Sequence, residues 1–230
     1  MHKVFISYHH ANDQWAKNQL QQWADQYGLF IDVSVDTNDI NDNLPTESTR
    51  RIIRDDYLRD SSVTVVLVGT ETRGRKHVDW EIYSSMYDGA VNKQSGVLVV
   101  QLPSTNPAYW TAAHEVEKAA VYPDCTSWST ISDRAGYERR YPYLPTRIID
   151  NLLAPKAKVS VTTWDRIAGN LNNLVTMIDA TYDDRTLCEY DLSRQMRSNN
   201  APALILSAGF EVPVSDMVLP RSAPQNIIVR

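Results

Sequence analysis

The chain has 230 residues, 43% hydrophobic and 22% charged, with a formal net charge of −5, enough for one large domain or a domain plus an extension around a real core. That balance, with no long like-charge block, excludes a dedicated nucleic-acid binder, whose basic stripe would dominate the composition. No apolar run approaches a membrane span, "MHKVFISYHH" has no signal-peptide pattern, and Cys125 and Cys188 stand without ligand spacing, so a reduced, cytoplasmic chain away from membranes is expected.

In chain order, "KVFISY" (3–8) is a short β-rich run and reads as a buried first strand. The next segment places Trp15, Gln19 or Leu20, Trp23 and Tyr27 at helical spacing, and Gly28 stops it. "LFIDVSV" (29–35) is a second strand, followed by the polar loop "DTNDINDNLPTEST" and a helix with Ile52, Ile53 and Tyr57 inward. "SVTVVLVG" (62–69) is the third strand, His77 to about Val91 the third helix, and "SGVLVVQLP" (95–103) the fourth strand. Residues 103–145 read as irregular chain. "KVSVTTW" (158–164) then offers a last strand, and the segment to Asp184 a last helix with Ile167, Leu171, Leu174 and Ile178 inward. Strands that are continuous apolar runs, alternating with helices, belong to a sheet covered on both faces. The expected fold is α/β, a flavodoxin-like, doubly wound and mostly parallel sheet with a C-terminal extension. Ligands bind such sheets outside the carboxyl ends of the strands, which directs attention to "HHAND", "DTNDIND" and "GTETRGRK".

Several motifs fail on inspection. Gly69 and Gly74 have P-loop spacing, but Arg75 stands where the motif needs Lys, and Lys76 where it needs Ser or Thr. No GxGxxG follows the first strand, which removes hydride transfer on a dinucleotide. His9, His10 and Asp13 lack the HExxH type of metal spacing and read as polar loop residues, so no metal is expected. Ser7 has no glycine elbow for a nucleophile. In the third helix Val78, Ile82, Ser85 and Met86 form the inward stripe and Glu81 falls on its edge, just past Arg73, Arg75 and Lys76. Two readings stay open there: a surface helix former that complements the macrodipole, and the acid of a site.

"KVFISYHHAND", "SVTVVLVGTETRGRKHVDWEI" and the order of elements between them resemble a TIR domain of the bacterial Thoeris-type, TIR-like family. The resemblance covers residues 1–102 and extends toward 185; "LPTRIIDNLL" and "YDLSRQMRSNN" are similar to segments of some members. It implies an enzyme that cleaves the nicotinamide–ribose bond of NAD, an NAD glycohydrolase or ADP-ribosyl cyclase making a nucleotide immune signal in antiphage defence. NAD is then the substrate and no cofactor is needed. Glu81 matches the family's catalytic glutamate, and Trp80 is expected to stack on the leaving ring. Ser7, Tyr8, His9, Asp36 and Thr37 are expected to line the adenosine or ribose side. Arg73, Arg75 and Lys76 either hold the pyrophosphate or are solvated loop charges. One acid suffices, because nicotinamide leaves a pyridinium as a neutral base, whereas a glycosidase must protonate its leaving oxygen.

The expected organisation is a TIR-like domain over 1–185 and an extension over 186–230. Expected partners are NAD, further copies through TIR surfaces, with the loop carrying Asp36, Asp39 and Asp42 docking on a neighbour, and an effector that senses the product. The competing reading is a non-catalytic TIR scaffold, and a transferase on a similar core is a third.

Overall fold

In the computed structural model, which describes residues 1–34, 48, 51–90 and 92–202, the apolar runs pair into one sheet. Its strands are β1 (Lys3–Ser7), β2 (Ile31–Asp32), β3 (Val63–Val68), β4 (Gly96–Gln101) and β5 (Val159–Thr163). All pairings are parallel and the order is β2-β1-β3-β4-β5, the flavodoxin-like arrangement read from the alternation of elements. Period two divides each run between the faces. Val63, Val65 and Leu67 enter one core with Val4 and Ile6, and Val66 and Val68 enter the other.

The first face is covered by α1 (His10–Tyr27), α6 (Trp164–Gly169) and α7 (Leu171–Asp184); the second by α2 (Lys76–Met86), α4 (Arg134–Arg140) and α5 (Thr146–Leu153). Gly28 ends α1 in the left-handed region at φ +61°, its N–H on Ala24 O, as its place after Tyr27 requires. The buried line of α1 is Asp13, Ala16, Leu20 and Ala24. Trp15 and Tyr27 are exposed, and Trp15 and Trp23 sit about the Trp164 ring at centroid distances of 4.9 and 5.2 Å. Close packing on a sheet takes small side chains along the contact line and leaves large rings at the rim.

Other boundaries differ from expectation. Helix α2 stops at Met86, where Tyr87 is extended. The expected last helix is two, because Asn170 breaks the path and caps α7 by accepting the Asn172 N–H; Ile167, Leu174 and Ile178 are buried as read, Leu171 only partly. The stretch read as irregular holds α3 (Glu115–Ala120) and α4, with α5 directly after. Helices of six to eight residues are too short to show a period and are held by packing. The second helix lies mostly outside the described residues; its described end is a wide turn, Ile53–Tyr57, closed by Leu58 N–H on Ile53 O. Ile53 is buried there, while Ile52 and Tyr57 are partly buried. Among the described residues no helix is long and apolar enough to cross a membrane.

After α7 and a 3-10 turn at Arg185–Leu187 the chain runs back over α5 and α2. Asn151 exchanges hydrogen bonds with the Asp191 backbone at 2.8 and 3.1 Å. Arg147, 0% exposed, donates through Nε and Nη2 to both Asp79 oxygens at 3.0 Å each and to the carbonyls of Arg194 and Gln195 at 2.8 and 3.1 Å. Asp79 also accepts the Arg197 N–H. Asn200 Oδ1 accepts the Lys76 N–H at 2.9 Å, and Ala201 N–H reaches Gly74 O at 2.8 Å. This strap caps α2 from outside, where Arg75 offers its helix no side-chain cap.

Removing one member of a buried ion pair strands the other. Arg147→Ala should therefore cost roughly 3–5 kcal/mol in urea denaturation, and the Arg147→Ala, Asp79→Ala double variant should lose less than the sum of the two singles. Additive losses, or a single-variant loss under about 1 kcal/mol, would show that the pair does not bind strap to helix.

Candidate active site

In the order β2-β1-β3-β4-β5 the winding reverses between β1 and β3, and a ligand crevice forms at such a switch point beyond the carboxyl ends of the strands. Ser7 ends β1 there, opposite Val66. Along β1, Val4, Ile6 and then Tyr8 pack with the α1 side. Phe5 packs with Trp80 of α2, so Ser7, two residues on, points the same way. Its Oγ donates to Glu81 Oε2 at 2.6 Å. Both groups are buried, Ser7 at 0% and Glu81 at 3% exposure. One helical turn further, Ser85 Oγ meets Thr64 Oγ1 of β3 at 2.7 Å. A polar seam thus runs between α2 and the sheet, with Glu81 at its end nearest the crevice. The stripe-edge placement of Glu81 is corrected to full burial, because its side chain turns into the seam against Ser7 of β1. On the same helix the Phe5–Ile53–Leu58–Trp80–Met196 cluster and the Arg197 carbonyl cover Trp80.

The loop from Gly69 to Lys76 is tied to α1. Gly69 N–H donates to Thr72 Oγ1 at 2.9 Å, and that hydroxyl donates to Asp13 Oδ2 at 3.2 Å. A Cβ on Gly69 would come within 2.4 Å of Asp13 Oδ1, so glycine here serves close approach. Asp13 is 3% exposed. Burial raises its pKa from 3.8 to about 6, against hydrogen bonds from Thr72, Gly69 and the His9 backbone that lower it. His9 has a buried Nδ1 without a hydrogen-bond partner; burial, then Arg75 and His10, lower its pKa. Among the described residues no group of three or more His, Cys, Asp and Glu could hold a metal.

The remaining expected site residues are distributed differently. Tyr8 lies toward the α1 side, its hydroxyl on Gln14 Oε1 at 2.9 Å and its ring stacked on His10 at 4.3 Å. Trp80, 5% exposed, donates Nε1–H to Arg197 O at 2.7 Å. Lys76 Nζ lies over its ring at 5.3 Å and His77 beside it. With the strap in place this ring packs in the core cluster. Arg73 donates to Pro142 O at 2.8 Å and pairs with Glu138 at 3.2 Å, and Arg75 pairs with Glu71. Asp36 and Thr37 lie outside the described residues. The structure thus brings Ser7 to Glu81 and His9 toward Arg75, and turns Tyr8 and Trp80 elsewhere. Asp13 was visible in "HHAND" only as a polar loop residue, and Asp79, Arg147 and Asn200 carried no signal by spacing.

A carboxyl whose pKa is raised on folding binds more protons folded than unfolded between the two values, so its contribution to stability grows as pH falls through about 6 toward 3.8. Between pH 7.5 and 5.0 the stability of the natural chain relative to Asp13→Asn should rise by about 1 kcal/mol. Paired urea melts measure this; a difference that is flat or of opposite sign would place Asp13 in a less buried state.

The family model described as Thoeris protein ThsB, TIR-like domain, matches residues 5–107, from β1 to just past β4. The match includes Ser7, Asp13, Glu81 and the Gly69–Lys76 loop, and excludes Arg147 and the strap. No curated protein matches the chain. Sheet order, element order and this match agree: over residues 5–107 the chain is similar to the TIR-like domain of Thoeris protein ThsB.

Proposed function

We propose that this domain cleaves the nicotinamide–ribose bond of NAD, with Glu81 as its acid, and yields a linear, cyclic or base-linked ADP-ribose signal read by a downstream effector in the cytoplasm. The observation that carries the reading is the position of Glu81, a buried carboxylate at the β1–β3 switch point, hydrogen-bonded by Ser7 at 2.6 Å. A carboxylate in a dry wall acts strongly on nearby positive charge, because little water screens it. Nicotinamide departs neutral, so the chemistry asks for no proton donor. It asks for a group that holds the ribose hydroxyls and stabilises the oxocarbenium charge as the bond breaks. Glu81 is 3% exposed, so substrate entry requires neighbouring groups to move. Self-association through TIR surfaces is the proposed trigger. Pyrophosphate binding by Arg73, Arg75 or Lys76 requires them to exchange the contacts that they now make with Pro142, Glu138, Glu71 and Trp80.

Those same contacts, with Trp80 under the strap, favour a second reading: a non-catalytic scaffold that assembles with other TIR domains. Incubation of the chain with NAD, with nucleotides read by mass spectrometry over a wide range of protein concentration, separates the two. The expected result is release of nicotinamide with a specific activity that rises with concentration, and a loss of about a hundredfold or more in Glu81→Gln. The Gln variant should keep its far-ultraviolet circular dichroism, since the amide is nearly isosteric and its oxygen can still accept from Ser7. Absence of nicotinamide at every concentration supports the scaffold, while a folded, active Gln variant removes Glu81 from the mechanism.

A further inference from the structure

We infer that Ser7 is a positioning residue for the Glu81 carboxylate and not a contact to substrate, an inference that rests on the NAD-cleaving reading above. Ser7 is wholly buried, and the alternation of β1 aims it between sheet and helix rather than out of the crevice. Its one hydroxyl proton is committed to Glu81 Oε2 at 2.6 Å, within the range of a hydroxyl donating to a charged acceptor. Its backbone is fixed by the parallel register that sets Ser7 against Val66. Glu81 stands on α2, whose neighbouring Trp80 packs with Phe5 of the same strand. Ser85, one turn on, is held to β3 in the same manner by Thr64. The two hydroxyl contacts fix the rotation of α2 about its axis, and the Ser7 contact fixes the carboxylate itself.

A substrate contact and a positioning contact have different kinetic signatures. Loss of a ground-state substrate contact raises KM, whereas misplacement of the acting carboxylate lowers kcat. Ser7→Ala should lower kcat by about ten- to a hundredfold, with KM for NAD changed by less than about twofold. Ser7→Cys, of similar size with a weaker donor, should fall between. In the Glu81→Gln background Ser7→Ala should change the residual rate little, because the group it positions is already lost. A raised KM with kcat kept, or unchanged kinetics, overturns the inference while leaving NAD cleavage standing. An inactive natural chain instead counts against the NAD reading, and the crystal structure of Ser7→Ala then decides the positioning role. A displaced or multiply placed Glu81 carboxylate supports it, and a carboxylate in its original rotamer overturns it.

Discussion

Helix α2 is covered on nearly every side, and a covered helix is held by the partners of the polar side chains its sequence sends inward. Among these, Ser84 Oγ is buried without a hydrogen-bond partner. Asp79, Glu81 and Ser85 all point into protein. Each meets a specific group: Asp79 the Arg147 guanidinium, Glu81 the Ser7 hydroxyl, Ser85 the Thr64 hydroxyl. These partners come from α5, β1 and β3, so the helix cannot rotate or slide without stranding a buried polar group. The Asp79–Arg147 pair is the most demanding, since both charges are removed from water and neither is tolerable alone.

The strap is the second consequence. Arg147 has more donors than Asp79 can accept, and it spends the remainder on the carbonyls of Arg194 and Gln195. The chain after α7 is thereby drawn across α2, where Arg197 and Asn200 serve Asp79, Trp80 and the first turn of the helix. A segment outside the family match has become part of the setting of α2, the helix that carries Glu81. It also explains why the Trp80 ring faces protein instead of solvent.

On the other side of the crevice, Asp13 joins the first turn of α1 to the loop that leads into α2. That joint depends on Gly69, because the carboxyl occupies the space of a Cβ. Burial raises the pKa of that carboxyl to about 6, while the hydrogen bonds of the joint lower it.

Local pattern was sufficient for the parallel sheet, four of its strand runs and the Gly28 stop, because apolar runs and turn residues act over a few neighbours and report directly on local structure. The second run, read over 29–35, pairs only at Ile31–Asp32, and Glu81 was singled out by the resemblance, pattern alone leaving it open. The segments after β4 were opaque because short helices gain their stability from partners distant in the chain. The same holds for the site. The alternation of β1 makes Ser7 an inward residue, yet nothing within "FISY" says which group it meets 74 residues later. Burial of Asp79 followed from Arg147 and the strap, more than sixty residues away in sequence. A stripe on one helix describes which side prefers apolar surroundings; whether its edge ends dry or wet depends on what else packs there, and that is a property of the assembled chain.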